Sequence, residues 1–190
     1  MLFETYSGRM VDLMDLRIED LYLDDMLVPL SRIGRYGNHT DFLYSVGYHT
    51  VICAELARLN GESDEVIRYV LGHDLSESYL GDIPRPLKRH LEMYGDVEEA
   101  VQNTIWSFLG LAVPDAEMVD KILKYDNGIL YWESYMVKRN IGEWGSTYYD
   151  EDLIKFNDVV EGRLTDRVDC DDVLGMLNGL FVEYFSDVFV

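Results

Sequence analysis

Residues 64–80, DEVIRYVLGHDLSESYL, decide the fold expected of this chain. Ser63 precedes them as a helix N-cap, and Asp64 and Glu65 follow in the first turn, where the helix dipole favours acidic side chains. Apolar residues then recur at helical spacing until Gly81 ends the pattern. The stretch therefore predicts an amphipathic helix with one buried face. The residues of that face are Val66, Ile67, Val70, Leu71 and Leu75.

Helical patterning continues on both sides of this helix. Apolar residues recur from Tyr48 to Ala57, and NGES at 60–63 closes that segment. Pro84 and Pro86 prevent the central helix from continuing, because proline lacks the amide donor. Further helices are predicted over roughly 94–111, 115–138, 150–163 and 170–187. The pattern predicts an all-α fold.

The first part of the chain has a different character, rich in turn signals. TYSGR at 5–9 and GRYGNHTD at 34–41 place Gly and Asn where a positive φ is favoured. MVDLMDL at 10–16 is compatible with a short strand, one half of a strand pair, or with an extended arm. Residues 18–33 are compatible with one helix. We expect this N-terminal segment to wrap around the helical core.

Length and composition fit one globular domain. The 190 residues are 48% hydrophobic, 13% aromatic and 27% charged, and no linker or repeat divides them. We therefore predict a single domain, 1–190, in which 1–47 wraps, 48–135 carries the site and 136–190 forms C-terminal helices. The aromatic-rich end, FVEYFSDVFV, favours a helix docked on the core or, alternatively, a homo-oligomer contact in a dimer or larger assembly.

Charge and apolar patterning exclude several partners. The net charge of −20 repels nucleic-acid polymers and anionic membranes. No apolar run approaches the ~18 residues that a spanning helix needs, and MLFETYSGRM lacks the features of a signal peptide. A cytoplasmic protein without a membrane partner is expected. Cys53 and Cys170 match no metal or redox spacing and are predicted to be free thiols.

The central helix carries His73, Asp74 and Glu77 in its last two predicted turns. Side chains three and four apart project from one side of a helix, so these groups are expected to face one point. A transition metal requires four or more donors, so further ligands must come from other elements. His49 opens the preceding helix, and Asp126 lies in an apolar helix where an unpaired buried carboxylate is costly. This mixed nitrogen and oxygen set suits Mn, Co, Fe, Ni or Zn better than Ca.

Several of the candidate site residues also have explanations that involve neither a metal nor a substrate. An HD dipeptide in a helix is common by chance. Asp126 is also compatible with an ion pair to Lys121 or Lys124, and Glu133 lies two turns further along the same face. His39, in a Gly-Asn turn, is a candidate for a substrate pocket or for bracing the loop through a backbone hydrogen bond. His90, beside two cations, is expected to be solvated.

Several segments together resemble the HD-domain phosphohydrolases. These are HTDFLYSVGYHT (39–50), GHDLSESYLGDIPRPLK (72–88) and KYDNGILYWES (124–134). The likeness is closest to the 5′-deoxynucleotidase-like branch found in bacteria and phage genomes. TYSGRMVDL (5–13) and LSRIGRYGNHT (30–40) also resemble the N-terminal part of phage and prophage members.

The resemblance covers residues 5 to about 135 and implies an HD-domain helical bundle around one divalent transition metal. Only four histidines are present, which leaves little for a second metal site. The metal ligands of the family match His49, His73, Asp74 and Asp126. The acidic residue that follows the HD pair matches Glu77, which would act on the attacking water or the leaving group.

The resemblance also implies a nucleotide pocket. Asp82, in the GD-x-P turn, would recognise the sugar or assist proton transfer. Arg35 and Tyr36 match an Arg followed by an aromatic residue that lines the pocket, and Lys88 matches the basic residue after the Pro turn. His39 is the further pocket candidate.

The implied reaction is hydrolysis of a (deoxy)nucleoside 5′-monophosphate to nucleoside and phosphate. One alternative is release of tripolyphosphate from a deoxynucleoside triphosphate, and another is a catalytically silent regulator that binds a nucleotide. A triphosphate requires several cations, and few surround the motif, which favours the monophosphate. Ser78 after Glu77 departs from the pattern of the alarmone hydrolases and weakens that activity.

Overall fold

The computed structural model describes residues 2–137 and 168–189, and these are mostly helical. The described residues therefore confirm the predicted all-α class. The helices are α1 (Leu23–Arg32), α2 (Val46–Leu59), α3 (Asp64–Gly72), α4 (Glu77–Leu80), α5 (Arg85–Lys88), α6 (Tyr94–Phe108), α7 (Ala116–Val137) and α8 (Cys170–Phe185). The helix predicted over 150–163 lies outside the described residues.

The central predicted helix is divided in two by an inserted side chain. In a continuous helix the amide of Ser76 would donate to the carbonyl of Gly72. Instead, Gln102 of α6 accepts from Ser76 N at 3.2 Å and donates to Gly72 O at 2.9 Å. A side chain inserted into the ladder breaks a helix. The prediction of one helix through Leu80 is therefore wrong, and His73 lies at the C-cap of α3.

The N-terminal segment contains a short strand pair, β1 (Phe3–Glu4) and β2 (Met10–Val11), which are antiparallel. The turn that joins them is fixed to α1, because the buried Asp25 carboxylate accepts from Ser7 N at 2.6 Å and from Ser7 Oγ at 2.8 Å. The predicted helix over 18–33 is shorter in the structure, since its first residues form an isolated 3₁₀ turn.

Helix α2 lies at the centre of the domain and packs against α1, α3, α7 and α8. Its residues are buried on almost every side from Val46 to Ala57. Phe181 and Phe185 of α8 are buried against the same core. The first turn of α2, which carries His49, therefore lies in the interior.

Two further sequence predictions concern the cysteines and membrane crossing. Cys53 and Cys170 are free thiols, as predicted, and Cys53 is buried. Among the described helices, none combines the length and apolar character needed to cross a bilayer.

Candidate metal centre

Helices α2 and α7 and the turn that follows α3 carry the four predicted ligands. Nε2 of His49 lies 3.5 Å from Oδ2 of Asp74 and 3.4 Å from Oδ1 of Asp126. Nε2 of His73 lies 3.3 Å from the same Asp74 oxygen. One ligand atom each from His49, His73 and Asp74 lies within 4.8 Å of the others, so these three residues could hold a metal ion.

Both imidazoles are held through the nitrogen that faces away from this cluster. His49 Nδ1 lies 2.6 Å from Oε1 of Glu133, and His73 Nδ1 donates to the carbonyl of Val70 at 2.6 Å. The second contact fixes the tautomer of His73, because a carbonyl oxygen only accepts. Nε2 of His73 is buried and has no hydrogen-bond partner. Such an atom requires an explanation, and a bound ion is one.

The two carboxylates also have partners outside the cluster. Asp126 directs Oδ1 at His49, while its Oδ2 accepts from Arg85 at 2.7 Å. Arg85 also donates to the side chain of Asn127 at 2.9 Å. The alternative pairing of Asp126 with a lysine of its own helix is not what the structure contains. Partners of this kind orient metal ligands in known metal sites.

Charge favours a cation at the cluster. Burial alone would raise the pKa of Asp74, but His73, His49 and Arg35 lower it. Burial opposes ionisation of Asp126 as well, and the hydrogen bond and charge of His49 nevertheless lower its pKa to about 2. Burial alone would lower the pKa of His73, and Asp74 raises it. Ionised carboxylates therefore lie beside both imidazoles of the cluster.

Glu77 lies beside the cluster in a different environment. Its side chain is buried, and Oε2 has no hydrogen-bond partner. Oε1 lies 3.7 Å from Nζ of Lys88. Burial, followed by the charges of Asp74 and Asp82, raises the pKa of Glu77 well above its usual range. The side chain is therefore suited to holding a proton that an ordinary carboxyl group would lose.

A cleft of ≈ 220 Å³ opens beside the cluster. Its lining includes the predicted substrate residues Arg35, Tyr36, Asp82 and Lys88, together with Asp74, Glu77 and Asp126. His39 is exposed and is not part of this lining. Its backbone amide donates to the carbonyl of Tyr36, a contact that does not depend on the histidine side chain.

Two of the pocket residues are fixed by contacts that sequence reasoning missed. Oδ2 of Asp82 accepts from the backbone amide of Tyr36 at 3.2 Å, which joins the Pro turn to the Gly-Asn turn. Lys88 donates to Glu98 at 2.6 Å. Cys53, which was predicted to be a free thiol, has its Sγ 3.6 Å from Nε2 of His49. Cys53 lies four residues after His49 on α2, so helical spacing was the available signal, whereas no local pattern indicated Glu98.

Glu133 and Arg85 are the principal site residues outside the predicted set. Glu133 was noted on the face of α7 that carries Asp126, and this periodicity was the available signal. Arg85 lies between Pro84 and Pro86, and no partner was predicted for it. The structure pairs Arg85 with Asp126 and Glu133 with His49.

Comparison with known proteins assigns no activity. No family model matches the chain. It is 35% identical over 108 residues to the uncharacterized protein YfdR of Escherichia coli strain K12, covering 57% of this chain and 58% of that protein. It is 37% identical over 86 residues to an uncharacterized protein of Rhodobacter capsulatus, covering 43% of this chain and 44% of that protein. The chain thus spans about half the length of these curated relatives.

Proposed function

We propose that this protein is a metal-dependent nucleotide phosphohydrolase of the HD-domain superfamily. The proposed substrate is a (deoxy)nucleoside 5′-monophosphate, which is hydrolysed to nucleoside and phosphate. The observation that carries the proposal is the buried Nε2 of His73, which makes no hydrogen bond and faces His49 and Asp74 beside a cleft.

The donor set fits one divalent transition metal. His49 and His73 offer nitrogen, and Asp74 and Asp126 offer ionised oxygen, a combination suited to Mn, Co, Fe, Ni or Zn. A divalent ion bound there supplies Lewis-acid chemistry, because it lowers the pKa of water to about 7 and offsets phosphoryl charge. The remaining contributions come from side chains of the chain itself.

Glu77 is the proposed general acid and base. Its raised pKa keeps a proton on the carboxyl group, and Oε2 has no competing hydrogen bond. The protonated group can therefore give a proton to the leaving nucleoside oxygen, and only its ionised form can take one from the attacking water. General acid–base catalysis contributes about 10²–10⁴-fold to the rates of enzymes that use it.

The charge of the cleft favours a monophosphate over a triphosphate. Its lining contains three cations and four carboxylates. Each cation is already paired: Arg35 with Asp74, Arg85 with Asp126 and Lys88 with Glu98. Because Glu77 is protonated, the three cations balance the other three carboxylates, and one divalent ion changes the net charge of the lining from zero to two positive charges. That balance suits a single phosphate group, whereas a triphosphate would bring more negative charge than the cleft can offset.

The test is a nucleotide panel with the full chain. Purified protein is incubated with Mn, Co, Fe, Ni or Zn separately, and with each deoxynucleoside monophosphate, ribonucleoside monophosphate and deoxynucleoside triphosphate. Release of phosphate from monophosphates is the expected result. Release of tripolyphosphate from deoxynucleoside triphosphates would show that the protein is a triphosphohydrolase instead. No turnover of any nucleotide, with metal shown to be bound, would contradict the proposal and favour a silent regulator.

A further inference from the structure

Glu133 lies behind the candidate centre, in contact with His49 and with Arg35 of the cleft lining. Its side chain is completely buried, on α7 two turns after Asp126. Four polar side chains from the preceding part of the chain converge on its carboxylate. They are Arg35, Tyr36, Tyr44 and His49.

The two oxygens of Glu133 serve different parts of the site. Oε1 lies 2.6 Å from Nδ1 of His49 and accepts from the hydroxyl of Tyr44 at 2.8 Å. Oε2 accepts from the hydroxyl of Tyr36 and from Nη2 of Arg35, the latter at 3.4 Å. One oxygen therefore orients an imidazole of the metal centre, and the other orients two side chains that line the cleft.

Tyr36 needs such support, because its backbone is in the left-handed region, with φ 59° and ψ 26°. A non-glycine residue persists there only when its surroundings hold it. Two contacts do so: its amide donates to Asp82, and its hydroxyl donates to Glu133. The position of the ring in the cleft lining therefore depends on Glu133.

We propose that Glu133 is a positioning residue that orients His49 for metal binding and, at the same time, Arg35 and Tyr36 for nucleotide binding. The nucleotide part rests on the proposed function, whereas the metal part depends only on the cluster. All of its neighbours can act as donors, and an ionised carboxylate offers only acceptors. A glutamine would present an amide donor to one of the two pairs, so it cannot satisfy both.

The first measurement is metal affinity, determined by competition with a chelator in the absence of substrate. Loss of a partner that orients a metal-ligating histidine typically weakens metal binding by about 10–100-fold, and Glu133→Gln is expected to do the same. The matched control is Glu62→Gln. Glu62 accepts from the hydroxyl of Tyr125, also on α7, but is not part of the cluster. The control is expected to bind metal as tightly as the wild type.

The second measurement separates the two oxygens of Glu133. Tyr44→Phe removes a donor from the Oε1 side and is expected to weaken metal binding more than nucleotide binding. Tyr36→Phe removes a donor from the Oε2 side and is expected to weaken binding of a deoxynucleoside monophosphate to the metal-free protein more than metal binding. Tyr79→Phe is the control, because the buried Tyr79 hydroxyl has no hydrogen-bond partner.

These readouts distinguish failure of the inference from failure of the proposed function. If Glu133→Gln binds metal like the wild type, the positioning role is wrong, whatever the wild type hydrolyses. If the wild type hydrolyses no nucleotide but Glu133→Gln loses metal affinity, the metal part stands and the proposed function fails. If Glu133→Gln does not fold, Tyr44→Phe and Tyr36→Phe provide the test. Equal effects of these two changes on metal and nucleotide binding, or effects in the reverse order, would overturn the inference.

Discussion

Replacing Gly72 with alanine should destabilise the protein, although alanine is the better helix former. A Cβ at this position would overlap Cζ3 of Trp106 and lie 2.9 Å from Cδ1 of Leu109. Both residues are buried, and the Trp106 ring also packs against Tyr69, with ring centroids 5.4 Å apart, so the indole has little room to move. Overpacking of this kind costs about 1–3 kcal/mol.

The helix-propensity gain is smaller than this cost. Alanine is favoured over glycine by about 1 kcal/mol in a helix interior, and Gly72 is the last residue of α3, where less of that gain applies. The expected net loss in free energy of unfolding is about 1–2 kcal/mol from the difference between these effects. For a domain of this size that loss corresponds to a decrease in Tm of about 2–8 °C.

Urea unfolding of the full chain measures this change, and Gly175→Ala is the matched control. Gly175 lies inside α8 with no atom within 4 Å of the added Cβ. The control should therefore gain about 0.5–1 kcal/mol. The same substitution is thus expected to have opposite signs at the two positions. A Gly72→Ala protein as stable as the wild type would show that Trp106 can yield, and would refute the packing argument.

Three further changes test the site and the helix break. Asp74→Ala should abolish bound metal, measured by elemental analysis, together with nucleotide turnover; an active, metal-loaded variant would contradict its place in the cluster. Glu77→Ala should keep the metal and lower kcat by about 10²–10⁴-fold, so normal turnover would exclude its proton-transfer role. Gln102→Ala leaves the buried Ser76 amide unpaired and should lower the free energy of unfolding by about 1–3 kcal/mol; an unchanged urea midpoint and slope would show that the amide finds another partner.

The features that sequence predicts well here are those with local causes. Ser63 accepts from the amide of Val66, so the predicted cap of α3 is confirmed. Asp115 accepts in the same way from the amide of Met118 in the first turn of α7. The apolar stripe of the central helix is buried as its periodicity indicates. Each of these outcomes depends on residues within about one turn of one another, and that is the range over which helix patterns carry information.

The features that sequence missed depend on partners far along the chain. Gln102 breaks the central helix from a position 26 residues after Ser76. Tyr44 reaches Glu133 across 89 residues, and Arg85 reaches Asp126 across 41. Residue type alone marked none of these pairs, since a glutamine, a tyrosine or an arginine is equally compatible with solvent. Only the packing of α6 and α7 against the earlier helices selects them.

The helix break also explains how an adjacent histidine and aspartate can face the same point. Neighbouring residues within a regular helix diverge by about 100° around its axis, so His73 and Asp74 would be poorly placed to share one ion. Although His73 keeps helical φ and ψ of −66° and −32°, Gln102 takes the Ser76 amide and so fixes the turn 73–76 that carries both residues. In this turn Nε2 of His73 lies 3.3 Å from the Asp74 carboxylate. If this reasoning is correct, Gln102→Ala should weaken metal affinity even when the protein stays folded. Asn103→Ala, a change in the next residue of the same helix, provides the comparison. Equal metal affinity in the two variants would show that the geometry of the metal centre does not depend on the helix break.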